Sequence, residues 1–405
     1  MFSKKHTYAF LLAGIAFLIL QGSVIAQQTT VVDSALLQRV DALEQHAADR
    51  KPGEDYFMVA GLTTFGFASH TATTNGVKTK SNSIVDGDNY EFSPMLLWRH
   101  GQKFLMEFEP SFAGGQLGVN WADISYFATP GVIIRAGYLV LPFGSYSKRL
   151  AAGWINKLAT DPEGVADQPP LTDYAVEVEG GFQTGTMKWN YDVAIANGMQ
   201  LNPDGTIQNA GLAPTNNNKN YCGRIGWLPF SNSSLELGLS GMTGKLGDPG
   251  SSFQSAKSAM WAVDLNFIQK LSPFQLNIKG QYEVIDINQT DYINPIDSSN
   301  YSFSNHSTAG YIMAALRPSF VQNKVLKNLE LAARYGNYQT PTNSLWGMKD
   351  NSFAIGLNYW ISWRTVLHLT YESIRSESTI STNLGGTPGT TTTTNSVYLQ
   401  FSIQL

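Results

Sequence analysis

Along most of this chain apolar and polar residues alternate with a period of two. In "FQLNIKGQYEV", Phe274, Leu276, Ile278, Tyr282 and Val284 fall on one side, and Gln275, Asn277, Lys279, Gln281 and Glu283 on the other. "MKWNYDVAIAN" sets Met187, Trp189, Tyr191, Val193 and Ile195 against Lys188, Asn190, Asp192, Ala194 and Ala196. "LELAARY" does the same with Leu329, Leu331, Ala333 and Tyr335 against Glu330 and Arg334. Strict alternation of this length predicts strands with one apolar and one wet face. Strand starts fall near Tyr56, Glu91, Lys103, Gly118, Gly131, Asp173, Thr186, Tyr221, Ser234, Ser258, Phe274, Ser307, Leu326, Ser352, Arg364 and Ser396. That is about sixteen, an even number suited to a closed membrane barrel.

The connections sort into two kinds. Short turns fall at 100–102, 129–131, 184–185, 228–233, 269–273, 319–324 and 361–363. Long polar connections lie between them, near 70–90, 140–172, 198–219, 244–257, 288–306, 338–350 and 376–394, with a shorter one at 113–117. An antiparallel barrel with short turns on the periplasmic side and long loops outside predicts this rhythm and leaves both termini periplasmic. A soluble sandwich gives no reason for it. The expected fold is therefore all-β: a transmembrane antiparallel β-barrel of about sixteen strands over residues 55–405.

The final stretch "SVYLQFSIQL" alternates to its last residue. Pairing with the first strand, "DYFMVAGLTTFGFAS", would close the barrel and leave no free edge. Such an end is similar to the C-terminal signal that outer-membrane proteins present to their insertion machinery, although Leu405 stands where Phe is usual.

One segment departs from the period of two. Residues 33–49 carry Leu36, Val40, Leu43 and Ala47 at spacings of four and three, which predicts a helix with a coiled-coil seam over 36–47. Within the segment 27–54 this helix could join a trimer stalk, plug the mouth, or lie on its own domain. Before it, Lys4 and Lys5, an apolar run from Tyr8 to Leu20 and small residues up to Ala26 read as a secretory signal over residues 1–26. No later stretch is long and apolar enough to cross a membrane as a helix.

Composition agrees with a strand-built exported protein. Aromatic residues make up 12%, charged residues only 14%, and the mean hydropathy is −0.14. Removing residues 1–26 changes the net charge from −4 to −6, so no basic surface for nucleic acid is expected. Cys222 is the only cysteine, which excludes an internal disulfide and reads as a small wall residue.

Enzyme templates fail in turn. "GMTGKLG" at 241–247 lacks the first glycine and the Ser or Thr of a phosphate loop, and reads as an external loop. The six histidines have no ligand spacing, so no metal or other cofactor is expected. A hydrolase of membrane lipid would need Ser and His together on the lipid side, and parity puts His368 on the wet face. The chain is expected not to be an enzyme.

The connection 140–172 stands out. It carries Phe143, Tyr146, Leu150, Trp154, Ile155 and Leu158, more apolar groups than a disordered loop tolerates. Folded into the lumen it would narrow the barrel; folded outward it would cap it or touch another subunit. Its basic half (Lys148, Arg149, Lys157) and acidic half (Asp161, Glu163, Asp167) would then face each other across a constriction and set up a transverse field. Parity also places Arg99, Arg135, Arg224, Arg334 and Arg364, with Glu107, Glu109, Glu177, Glu179, Glu236 and Glu330, on the lumen wall.

"IIRAGYLVLPFGSYSKRL", followed by "WINKL", resembles the phosphate-selective porin O/P superfamily, and the preceding heptad is similar to that of DcaP-like trimeric outer-membrane porins. The resemblance is specific over roughly residues 90–200. It implies a homotrimeric, sixteen-stranded channel in the outer membrane of a Gram-negative bacterium, surrounded by outer-membrane lipid. The arginine ladder and lysine-rich funnel that accompany phosphate selectivity are absent as clusters here. The expected function is passive diffusion of small hydrophilic solutes and ions. An anion- or phosphate-selective channel, and an adhesion or scaffold barrel using loops such as "STNLGGTPGTTTTTN", are the alternatives.

Overall fold

The computed structural model describes residues 55–85, 90–166, 168–209, 218–247 and 249–405. The expected signal at 1–26, the segment 27–54 with its 36–47 helix, and Asp167 lie outside the described residues.

Alternation in the sequence becomes a closed wall. Sixteen staves run in chain order: β1 (Tyr56–Thr74), β2 (Glu91–His100), β3 (Phe104–Ala113), β4 (Gln116–Thr129), β5 (Val132–Val140), β6 (Thr172–Thr184), β7 (Met187–Ala196) and β8 (Asn220–Leu228). They continue as β9 (Leu235–Lys245), β10 (Lys257–Leu271), β11 (Phe274–Ile287), β12 (His306–Arg317), β13 (Leu329–Gln339), β14 (Met348–Ser362), β15 (Thr365–Ser378) and β16 (Thr391–Gln404). A short extra strand, Val77–Ser83, pairs with the far half of β1 and continues the line of β2. Every neighbour pairs antiparallel, and β16 pairs with β1 from Leu62↔Gln404 to Thr74↔Thr392, so the sheet has no free edge in its wall.

The wall is inside out relative to a soluble core. In β11, Tyr282 is 44% exposed, whereas Gln281 and Glu283 on the inner side are 4% and 1% exposed. In β16, Leu399 is 43% exposed on the outside and Ser402 fully buried within. An outer surface of this kind is stable only where apolar solvent covers it. Aromatic rings gather near the short-turn end, where Phe182 stacks on Trp189 and Trp189 on Trp227, with centroids 6.2 and 6.0 Å apart. Higher up, Trp261 packs on Tyr282 at 5.9 Å. Two aromatic levels are what a bilayer's two interfaces favour.

The short and long connections fall where their rhythm placed them, including the tight turn at Gly114 and Gly115 between β3 and β4. Several boundaries move, and in the connection expected near 70–90 β1 runs on to Thr74 and Val77–Ser83 is strand. Gly241–Lys245 belongs to β9, so only Leu246 and Gly247 of "GMTGKLG" leave the sheet. Likewise Thr391–Asn395 extends β16 well before Ser396, because the threonines pair with β1 and β15 although their polarity hides the period. At the long-connection end, small ribbons at Met199–Leu201 with Ile207–Asn209 and at Asp291–Ile293 with Asn300–Ser302 form a cap. Its centre is Tyr292 stacked on Phe303 at 4.3 Å, and burial pushes the Tyr292 phenol up to about 12.

Candidate functional site

Between β5 and β6 the chain turns into the barrel. The neck is tied by Leu141 N donating to Leu171 O at 2.7 Å. Pro142 and Phe143 then lead to Gly144, whose φ of +67° favours glycine, and a β-carbon there would collide with the Gln281 side chain of β11. Three successive amides are received by the wall. Gly144 N donates to Ser240 Oγ at 2.8 Å, and Ser145 N and Tyr146 N both donate to Gln281 Oε1, at 2.8 and 3.0 Å. A single helical turn, Tyr146–Leu150, follows.

Leu141, Phe143, Leu158 and Val165 are buried almost completely. Each such burial contributes about 1.5–3 kcal/mol. The wall makes room with small inward residues: Tyr146, Leu150, Leu158 and Val165 cluster with Ala309, Ala315, Ala332 and Ala354. Farther along, His368 Nε2 lies 3.1 Å from Gly153 O, Ala159 N donates to Thr370 Oγ1 at 3.0 Å, and Asn358 Nδ2 donates to Lys157 O at 2.8 Å. The connection thus crosses the lumen from β5 to β14 and β15.

Its cations dock on wall carboxylates. The Lys148 ammonium donates to Glu177, lies 3.0 Å from Glu179 Oε2 and 3.7 Å from Asp192 Oδ1. Those three carboxylates lie within 4.8 Å of one another, a metal-like donor set that Lys148 itself fills. Arg149 reaches Asp192 at 2.8 Å and Glu236 at 3.2 Å. Lys157 lies 3.5 Å from Glu330 and 4.6 Å from the centre of the Trp360 ring.

The wall carries the chain of charge onward. Arg135 holds Asp123 at 3.0 Å and Glu107 at 2.8 Å, and Arg224 bridges Glu236 at 3.0 Å and Asp264 at 2.6 Å. Arg334 meets Glu372 at 2.8 Å and donates to Thr160 and to Asp161 O. From β3 to β10 seven carboxylates face four cations.

Several sequence assignments change. The carboxylates opposite Lys148, Arg149 and Lys157 belong to the wall, not to the acidic half of the connection. Asp161 instead accepts from Tyr146 Oη at 2.5 Å and Asn156 Nδ2 at 3.0 Å, and Glu163 is half-buried. Arg364 is not in a strand at all: it sits in the turn between β14 and β15, exposed, 4.3 Å from the Trp363 ring. Arg99 is exposed at the short-turn rim, donating to Gly101 O and Gln102 O. Parity fixes a face only within a strand: Arg364 lies between two, whereas Arg99, at the end of β2, keeps the inward parity of its partner Leu105. Glu109 faces inward, held by Asn120 at 3.2 Å.

Asp123, Asp192, Asp264, Gln281, Asn358 and Thr370 were not singled out, although Asp192 and Gln281 stand on the wet face by alternation. The inner wall is unevenly covered. Met95, Leu97, Leu105, Glu107 and Glu109 on β2 and β3 keep partial exposure, whereas Ser240, Asp264, Gln281, Arg334, His368 and Glu372 are buried.

No family model matches the chain, and no curated protein matches it in sequence. Among solved structures the fold is similar to an anion-selective porin from Comamonas acidovorans, with TM-score 0.51 and 11% identity over 87% of this chain and 100% of that one. It is also similar to the outer-membrane channel DcaP of Acinetobacter baumannii, with TM-score 0.52 and 12% identity over 88% and 99%. Likeness at this identity is likeness of fold. Both neighbours are outer-membrane channels; the phosphate-selective superfamily suggested by "IIRAGYLVLPFGSYSKRL" is not reached by them.

Proposed function

We propose that the protein is an outer-membrane porin through which small hydrophilic solutes and ions diffuse passively. The observation that carries this reading is the connection 141–171, pinned inside a closed barrel with an apolar exterior. It covers the inner faces of β8–β15 and leaves those of β2 and β3 accessible. The path for solutes runs between the connection and β2–β3. On one side lie Lys148 and Arg149 with the carboxylates they dock on, on the other Glu107 and Glu109, so a transverse field orients water and polar solutes at the narrowest point. Arg135, Glu177 and Arg224 form the wall beneath it, while Lys157 and Asp161 hold the connection against β13 and β14.

Anion or phosphate selectivity is the weaker reading, because every loop cation already faces carboxylates and acids outnumber bases along β3–β10. The protein acts as a channel and not as an enzyme. It assembles as a homotrimer, on the strength of the heptad at 36–47, with long connections outward and termini periplasmic.

Single-channel recording of the refolded protein in planar bilayers tests the reading, with Lys148→Glu, Arg149→Glu and Lys157→Glu in parallel and light scattering on the same preparation for the trimer. Stepwise conductance is expected, with reversal potentials shifted toward cations in the variants. Silence from the wild type, or selectivity indifferent to these charges, contradicts it.

A further inference from the structure

The outer wall carries an arrangement that the lumen does not use. At the long-connection ends of β8, β9 and β10, lysines line up across strands: Lys245 is the direct partner of Lys257, and the pair Asn220↔Gly244 sets Lys219 beside Lys245. All three are exposed and continue the outward set of Tyr221, Thr243 and Ala259. Like charges directly opposite one another destabilise a sheet unless a counter-charge sits on them. Among the described residues none of the three has an ion-pair partner within 4 Å, although Lys219 lies 3.5 Å from Asn197 Oδ1 and its charge reaches the Asp173 carboxylate, which leaves Lys245 and Lys257 as the bare pair; the nearby outward carboxylate, Asp286, is held by His306 at 2.6 Å.

Directly below this row, toward the bilayer, lies a shallow groove of about 620 Å3 lined by Val193, Ile195, Tyr221, Gly223, Gly241 and Trp261, with the Asp286 carboxylate, paired to His306, also on its lining. Its floor is the glycine pair Gly223↔Gly241, flanked in register by Val193 and Trp261. Crowding does not require glycine at 241: a β-carbon there would meet nothing closer than Met260 O at 3.8 Å. A strand glycine without local need leaves room for close approach of another molecule.

We propose that this face binds a phosphate-bearing, acylated lipid of the surrounding leaflet, its phosphates on Lys219, Lys245 and Lys257 and an acyl chain in the groove. Adjacent strands are ~4.8 Å apart, so the row spans about 10 Å, the width of a headgroup with two phosphates. The inference rests on the reading above only in placing the long-connection end at the outer interface.

The test uses the full chain in neutral detergent, titrated with diphosphorylated lipid A and, separately, with the same lipid stripped of phosphate, and read by native mass spectrometry. The wild type is expected to retain the phosphorylated form at least tenfold better. The triple change Lys219→Gln, Lys245→Gln, Lys257→Gln should lose tenfold or more, and so should Gly241→Leu, which fills the groove and leaves the lysines alone. Retention unchanged in either variant, or equal for the phosphate-free lipid, overturns the proposal, as does full displacement by inorganic phosphate, which would leave a bare ion site. Conductance in phosphatidylcholine bilayers separates the two readings. Both variants keep wild-type conductance because they face away from the lumen, and a silent wild type counts against the channel while the lipid readout stands.

Discussion

Two backbone amides, Ser145 N and Tyr146 N, converge on a single side-chain oxygen, Gln281 Oε1, at 2.8 and 3.0 Å. All three residues are buried, so Gln281→Ala leaves two donors without water or partner, at a cost of about 1–3 kcal/mol each. Because 1.4 kcal/mol is a factor of ten in an equilibrium, hydrogen exchange in the peptide around 141–150 should accelerate by tenfold or more. Unchanged exchange would mean that the apolar anchors alone hold the turn. The sequence put Gln281 on the wet face of its strand, and that was right. It did not show the partner, because the contact spans 135 residues of chain and no local pattern encodes it. His368 is a parallel case: alternation turned it away from lipid, and only the folded barrel brings it to Gly153 O.

At the scale of the element, the connection 141–171 was legible as structured and apolar, but its charge pattern was misleading. Lys148, Arg149 and Lys157 precede Asp161 and Glu163 in the chain, which suggested opposition within the loop. A cation entering a lumen pairs with whatever carboxylate lies nearest, and the wall offers Glu177, Glu179, Asp192, Glu236 and Glu330 first. A subtler sign was available in the inward alanines of β7, β13 and β14, small apolar groups on a face that otherwise meets water. Ala194, Ala332 and Ala354 are now seen to be where the connection packs. Replacing residues 147–166 by a short Gly-Ser linker should leave the barrel closed, since β16 and β1 pair without the connection. Single-channel conductance should rise several-fold and its charge selectivity fall. Unaltered conductance would place the narrowest point elsewhere.

For the whole molecule, the decisive property is that one step along a strand exchanges solvents. Leu96 and Leu97 are neighbours on β2, identical in chemistry; Leu96 pairs with Phe108 on the outer face and Leu97 with Glu107 on the inner. Parity made this readable from the sequence, since a period of two assigns every residue of a strand once one is assigned. Polarity names the wet face, and the exposure of Tyr282 beside the burial of Gln281 agrees with it. Leu96→Arg puts a guanidinium among acyl chains and should destabilise the folded barrel by about 2–4 kcal/mol, measured by reversible urea unfolding in vesicles. Leu97→Arg adds the same group to the water path beside Glu107. It should cost little stability, yet it should lower conductance and move the reversal potential toward anions. Equal destabilisation by both substitutions would contradict a water-filled lumen along β2 and β3, and with it the route on which the channel reading depends.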